Sequence, residues 1–525
     1  MEIYGGGTIL TMEKELYTEG VLVDHGEILE TGSLQYLRSL APEADYIDLQ
    51  GRTMLPAFID AHSHFSSAAN AMLQVSLAGA DTPEVIAAKL RAYIAENHLQ
   101  PGTWVIAREY DHNVLPGHKH IALSVLDQAV PEHPLVVQHT SGHVGLFNSC
   151  AMQQLGITPE TPAPEGGRIE CVNGELTGYM EENAFLYYLR KVPMPSVSDL
   201  LRAYDKAQQQ YASYGIATVQ EGMLVKDLIP YYQQLLAQGG LRLDLVAYVD
   251  PPDFETVCRA FPQSVRAYHE NLKINGIKIF LDGSPQGRTA WMRTPYLHED
   301  TYCGYGTMRD EDVEKAFAFA AAHSVQLCAH CNGDAACAQM LRAAEKAARA
   351  GVDLSAMRPV MIHAQFLGQD QLPAVKRLGI LPSFFVAHTY HWGDTHIRNF
   401  GYDRAACISP AASARRQGII FTFHQDAPVI EPDMLHTVWC AVNRRTRDGR
   451  TLGEAECIEP LQALQAITIF AAYQYGEEHS KGSIRKGKQA DFVLLDRNPL
   501  QTDPKEICNI EVLQTIRKGK TIFKR

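Results

Sequence analysis

Apolar strand candidates alternate with amphipathic helical stretches through most of this chain, and that rhythm limits its fold more than any other feature. The strand candidates are Thr218–Glu221, Leu243–Val249, Gly276–Leu281, Val325–His330, Pro359–His363, Ile380–Phe385 and Ile419–Phe423. Apolar residues recur at helical spacing over Pro83–His98, Asp199–Tyr214, Glu311–His323, Ala335–Ala350 and Pro460–Tyr473. Such alternation argues for a parallel sheet, and about eight units argue for closure into a (β/α)8 barrel.

Both ends differ from the middle. Thr8–Met12, Gly20–Val23, Glu27–Glu30 and Tyr46–Leu49 near the start, and Ala490–Leu495 and Val512–Phe523 near the end, read as short strands between turns. From about Asp111 to Pro195 the rhythm breaks. That region is rich in Gly, Pro and His, and EGGRIECVNGELTGYMEEN reads as two short strands around an Asn-Gly turn. An insertion carried on barrel loops is expected there.

Composition excludes several classes. Lys and Arg number 47 against 60 Asp and Glu, a net charge of -13, with no basic run on which a nucleic acid could displace counterions. The longest uncharged stretches, Ala316–Gly333 and Gly379–Gly393, carry His and other polar groups, unlike the roughly 20 apolar residues of a membrane span. MEIYGGGTILTMEKELYTEG has no basic flank before an apolar segment, so no signal peptide is expected. Eleven scattered cysteines suit a reduced, cytoplasmic chain. The close pair Cys328 and Cys331 lacks the second pair of a structural zinc site.

The strongest local signal is LPAFIDAHSHF, an apolar run ending in Asp60, His62 and His64. Residues i and i+2 of a strand face the same side, so both imidazoles can converge at the mouth of a barrel, where barrel enzymes keep their active sites. Two neutral imidazoles suit zinc or another borderline cation. His330 ends VQLCAH, His363 ends PVMIH, and Asp426 follows IIFTFHQ. Each sits at the carboxyl end of a separate predicted strand, which favours joint convergence over isolated polar groups. Lys278 lies within GIKIFLDG, where an unpaired ammonium is costly. It sits at an edge, pairs with Asp282 or, desolvated and neutral, captures carbon dioxide as a carbamate able to bridge two cations.

Together LPAFIDAHSHF, KIFLDGSPQGRTA, AHCNGDAA, IHAQF and HQDAP resemble the amidohydrolase superfamily. More narrowly they are similar to its YtcJ-like, amidohydrolase-3 branch, which includes N-substituted formamide deformylases. PSFFVAHTYHWGD resembles the exoenzyme-regulatory-protein-like subset, and GHVGLFNS and GSIRKGKQADFVLLD extend the likeness over nearly the whole chain. The resemblance implies a (β/α)8 TIM barrel over 56–485 with an insertion at about 111–195, and a small β-sandwich built from 1–55 and 486–525. It implies one or two divalent metal ions, zinc first: His62, His64 and Asp426 at one, His330 and His363 at the second, and carboxylated Lys278 between them. Asp426 would act as general acid and base on a metal-activated water.

Three positions depart from the branch pattern: Ile362 where Glu is usual, Ser141 in place of Asp before Gly142 and His143, and His424 where a small or polar residue is common. His143, Arg288, His391 and Asp394 are the candidates for holding substrate; His388, His391 and His396 also fit a polar rim loop. The expected reaction is hydrolysis of a non-peptide C–N bond in a small molecule. An ester or phosphoester hydrolase on the same site, or a non-catalytic regulatory protein, are the alternatives, and a homo-oligomer is compatible with the chain.

Overall fold

The computed structural model describes residues 1–139, 144–193 and 195–525. These form two compact units: 1–68 together with 205–525, and 69–204.

The first unit is built on eight strands: Phe58–Ile59, Ile216–Leu224, Asp244–Val249, Leu272–Phe280, Gln326–Cys331, Val360–His363, Leu381–Phe384 and Thr422–Phe423. All are parallel and neighbours in chain order. The first and last meet just beyond their carboxyl ends, where His64 N donates to Ala427 O at 2.9 Å and Asp426 N to His62 O at 3.2 Å. This is the expected TIM barrel. Every residue of Asp244–Val249 is buried, which is why these strands read as continuous apolar runs: both faces are covered. Ile59, Val246, Tyr248, Cys328, Val360 and Leu381 pack with Tyr475 in one apolar cluster.

One predicted helix is divided. Pro460–Tyr473 forms two helices, Pro460–Ala466 and Ile469–Gln474, because Thr468 adopts φ -130° and ψ -97°, outside the helical region.

Two further sheets of this unit draw on the chain ends. Glu2–Gly5, Gly20–Asp24, Glu27–Gly32 and Asp45–Asp48 make one; Thr8–Leu10, Tyr17–Thr18, Thr53–Pro56, Phe492–Leu495, Val512–Arg517 and Lys520–Lys524 make the other. Tyr4, Val21 and Ile28 from the first meet Met54, Phe492 and Ile516 from the second in a shared core. The predicted run Val512–Phe523 turns back on itself at Lys518 and Gly519, both with positive φ.

Asp244, at the start of the third barrel strand, ties the terminal strands to the barrel. Buried completely, it pairs with Lys481 and with Arg517. Burial alone would raise its carboxyl, but the two cations hold it at about 2. Asp244→Ala removes the carboxylate that the two buried cations share, leaving Lys481 to Glu477 and Arg517 to its hydrogen bonds with Asn271 and Arg242, so it should cost about 3 kcal/mol of unfolding free energy, measured by urea denaturation. A pKa depressed below its ordinary 3.8 makes this stabilisation complete above that pH and lost as pH falls through about 2.

The second unit carries a mixed six-stranded sheet in the order Gly167–Val172, Glu175–Glu182, Val144–Phe147, Leu135–His139, Val105–Tyr110, Val75–Ser76. Asn173 and Gly174, both with positive φ, join the first two strands as a two-residue hairpin loop requires. The helix expected at Pro83–His98 is observed as Pro83–Glu96 and belongs to this unit.

Candidate metal centre

The first barrel strand stops at Ile59, earlier than the apolar run suggests. His62 and His64 lie on the segment beyond it, their ring centroids 5.1 Å apart, and convergence comes from that bend rather than from strand alternation. Each Nε2 faces Asp426 Oδ1, at 3.3 Å from His62 and 3.5 Å from His64. His363, the last residue of the sixth strand, places Nε2 3.8 Å from Asp426 Oδ2. The His330 ring lies 4.6 Å from that of His363. Lys278, in the fourth strand and 1% exposed, sets Nζ 3.3 Å from His62 Nε2.

Two of these positions are held in uncommon backbone conformations. His363 has φ +70° and Asp426 φ +54°, a region that costs a side-chain-bearing residue of order 1–3 kcal/mol and recurs at functional sites.

Hydrogen bonds fix the imidazoles. Gln220 Nε2 donates to Ala61 O and to Tyr475 Oη, at 2.9 and 3.0 Å. Its Oε1 therefore accepts from His62 Nδ1 at 2.6 Å, which leaves the Nε2 lone pair of His62 directed at the centre. Asp282 accepts from His330 Nδ1 at 3.1 Å and from the backbone N–H groups of Trp291, Asn332 and Gly333. The Lys278–Asp282 pairing that the sequence also allows is not formed. His330 Nε2 accepts from Asn332 Nδ2 at 3.2 Å. His363 Nδ1 meets His424 Nε2 at 3.1 Å, and His424 Nδ1 meets Ser383 Oγ at 2.9 Å.

Burial sets the charge states. It lowers His62, helped by Lys278, to about 4, and lowers His64, His363 and His424 as well. It brings the Lys278 ammonium down to about 8. Burial would raise Asp426, but His62 and His64 beside it hold the carboxyl well below its usual range. The centre is thus an ionised carboxylate among neutral imidazoles. Asp426 Oδ1 is buried and accepts no hydrogen bond among the described residues, a costly state for a charged oxygen unless a cation meets it. The donors of His62, His64 and Asp426 lie within 4.8 Å of one another, and this set fits a divalent borderline cation.

The other candidates fall as follows. Arg288 pairs with Glu299 at 2.5 Å and stands over the Tyr296 ring. His391 is half-buried, with Arg447 Nη2 donating to its Nδ1 at 3.4 Å; burial, then His436 and Arg447, lower it to about 4. Asp394 Oδ2 accepts from Asp448 N at 3.2 Å. His388 and His396 are buried and joined Nδ1 to Nε2 at 3.1 Å. Ile362 is part of the barrel core. His143, with Ser141 and Gly142, lies outside the described residues. Sequence reasoning overlooked Gln220, whose only signal was a polar residue in the apolar second strand, and considered Asp282 only as one alternative partner for Lys278.

Comparisons with known proteins bear on the family and the fold. The chain is 28% identical to the "Putative amidohydrolase YtcJ" of Bacillus subtilis (strain 168), covering 100% of this chain and 99% of that protein. It is 26% identical to the N-substituted formamide deformylase of Arthrobacter pascens, over 97% and 95% of the two chains. A solved structure of an uncharacterized metal-dependent hydrolase from Pyrococcus furiosus superposes with a TM-score of 0.78 at 22% identity, covering 95% of this chain and 100% of that one. The model of the Amidohydrolase family matches residues 45–523. With that match spanning nearly its full length, the chain belongs to the Amidohydrolase family.

Proposed function

We propose that this protein is a metal-dependent hydrolase of a non-peptide C–N bond in a small amide, cyclic amide or formamide. The observation that carries this reading is the buried, ionised Asp426, with one oxygen lacking a hydrogen bond and facing the Nε2 atoms of His62 and His64. His62, His64 and Asp426 would hold one divalent cation, zinc by choice of donors, and His330 and His363 a second, with Lys278 carboxylated between them. Bound there, the cation supplies polarisation of the substrate carbonyl and a lowered pKa for water.

The chain's own groups do the rest. Asp426, ionised at neutral pH, takes the proton of the attacking water and delivers it to the departing nitrogen. An amine leaves poorly without that proton, so a carboxylate that can both accept and return it suits C–N cleavage. Gln220 holds the His62 imidazole in the tautomer that keeps its lone pair on the centre. His391 and Asp394, with His143, are the groups proposed to contact substrate. The name of the Arthrobacter relative, a deformylase of N-substituted formamides, supports a C–N over a C–O bond.

The test is elemental analysis of the purified chain, followed by a panel of amides, formamides and esters compared by kcat/KM. Stoichiometric zinc and a preference for C–N substrates are expected; a consistent preference for esters, or full activity after metal removal, would overturn the reading.

His424 has a specific part in it. A lone pair on His363 Nε2 requires His363 Nδ1–H to donate to His424 Nε2, and His424 Nδ1–H to donate to Ser383. His424→Phe keeps a ring of similar size and removes the acceptor. Zinc affinity should fall roughly 10–100-fold, measured by chelator competition; unchanged affinity would exclude this role.

A further inference from the structure

The proposed hydrolysis makes no use of a cluster of histidines within the second unit. Strands Val105–Tyr110 and Leu135–His139 run parallel, with Tyr110 opposite His139. The chain leaves the first through Asp111, whose Oδ1 accepts from Asn113 N at 2.9 Å and caps the short turn His112–Val114. That turn lays His112 Nδ1 3.1 Å from His139 Nε2, and Asp111 Oδ1 lies 3.6 Å from the same nitrogen. One donor atom from each of the three residues falls within 4.8 Å of the others. His120 stacks on His112 with centroids 4.1 Å apart. Its Nδ1 faces Tyr110 Oη at 3.4 Å, so it flanks the trio rather than joining it.

The charge states suit ligation. Burial lowers His139, and burial with the adjoining imidazoles lowers His120 to about 4. Burial would raise Asp111, but hydrogen bonds from Asn113 and the neighbouring His139 outweigh it. A neutral His139 beside an ionised Asp111 suits a transition cation.

We propose that Asp111, His112 and His139 form a second site for zinc or a similar divalent transition cation, built wholly within 69–204 and independent of the barrel ligands. Three protein donors leave a fourth tetrahedral position for water or an outside ligand. A cation there clamps the turn after one strand to the end of its parallel neighbour, and so stabilises the folded unit by mass action.

The test uses the full-length protein stripped of metal and titrated with zinc against a chromophoric chelator. Wild type is compared with His112→Gln/His139→Gln and with the barrel variant His62→Gln/His64→Gln. The first variant should bind one equivalent fewer than wild type. The barrel variant should keep that equivalent and a zinc-induced rise in Tm, both lost when all four substitutions are combined. Equal stoichiometry in wild type and His112→Gln/His139→Gln would overturn the site, leaving a hydrogen-bonded imidazole pair. Asp111→Asn retains the cap through its amide oxygen and so separates ligation from folding. Zinc binding to this site, read in the barrel variant, should weaken at least about ten-fold, the scale of losing even an outer-shell partner; unchanged affinity there would likewise overturn it.

Discussion

Asp426→Asn should lower kcat/KM roughly a hundred- to ten-thousand-fold, the range of a positioned general acid–base group. The substitution is close to isosteric, and its backbone demand is met: Asn, like Asp, tolerates the left-handed region that φ +54° requires. Asp426→Ala would confound the result, because Ala adds strain at that angle. The amide oxygen of Asn can still face the Nε2 atoms of His62 and His64, so zinc content at saturating metal should stay near the wild-type level. What disappears is the capacity to accept and return a proton. Since the wild-type carboxyl lies well below its usual range, the deficit should be uniform across neutral pH. Loss of activity with retained zinc and an unchanged Tm would bear out the assignment. Activity within about ten-fold of wild type would exclude Asp426 as the acid–base group.

The proposed ligands are legible in the sequence because a parallel barrel places its chemistry at strand ends, and strand ends are easily recognised when the strands are apolar on both faces. His330 and His363 stand out on that ground alone. Their supporting partners do not. Gln220 sits 158 positions from His62, and nothing in TVQEG announces that its amide will be locked by Ala61 and Tyr475. The same holds for His424, which the sequence marks as unusual without showing that His363 and Ser383 bracket it. Backbone strain is equally hidden: positive φ at His363 and Asp426 is imposed by the surrounding chain, including the Asp426 N to His62 O hydrogen bond, not by the residues themselves. Arg288 shows the opposite failing. A cation in a polar loop suggests a substrate carboxylate, but Glu299, eleven residues on, lies against it.

Lys278→Met should abolish most of the hydrolysis while leaving the metal-free protein at least as stable as wild type. Wild type keeps an ammonium at a 1% exposed position, where no carboxylate among the described residues forms an ion pair with it: Asp282 is committed to His330 and three backbone N–H groups. Met, unbranched and one atom shorter, keeps the apolar packing of the lysine stem and removes the desolvated nitrogen, so the fold loses a burden rather than a support. Function responds in the other direction. If Lys278 carries a carbamate that joins two cations, its loss removes the anion that lets them sit together, and with it several kcal/mol of carbonyl polarisation. Each 1.36 kcal/mol is tenfold in rate, so the expected fall in kcat is roughly a hundredfold or more. Zinc content should drop, and a carbamate signal obtained with isotopically labelled bicarbonate in wild type should be absent from the variant. Were both zinc content and hydrolysis to survive in Lys278→Met, the bridging carbamate would be wrong, and the lysine would act only as the hydrogen-bond donor to His62 that its 3.3 Å contact allows.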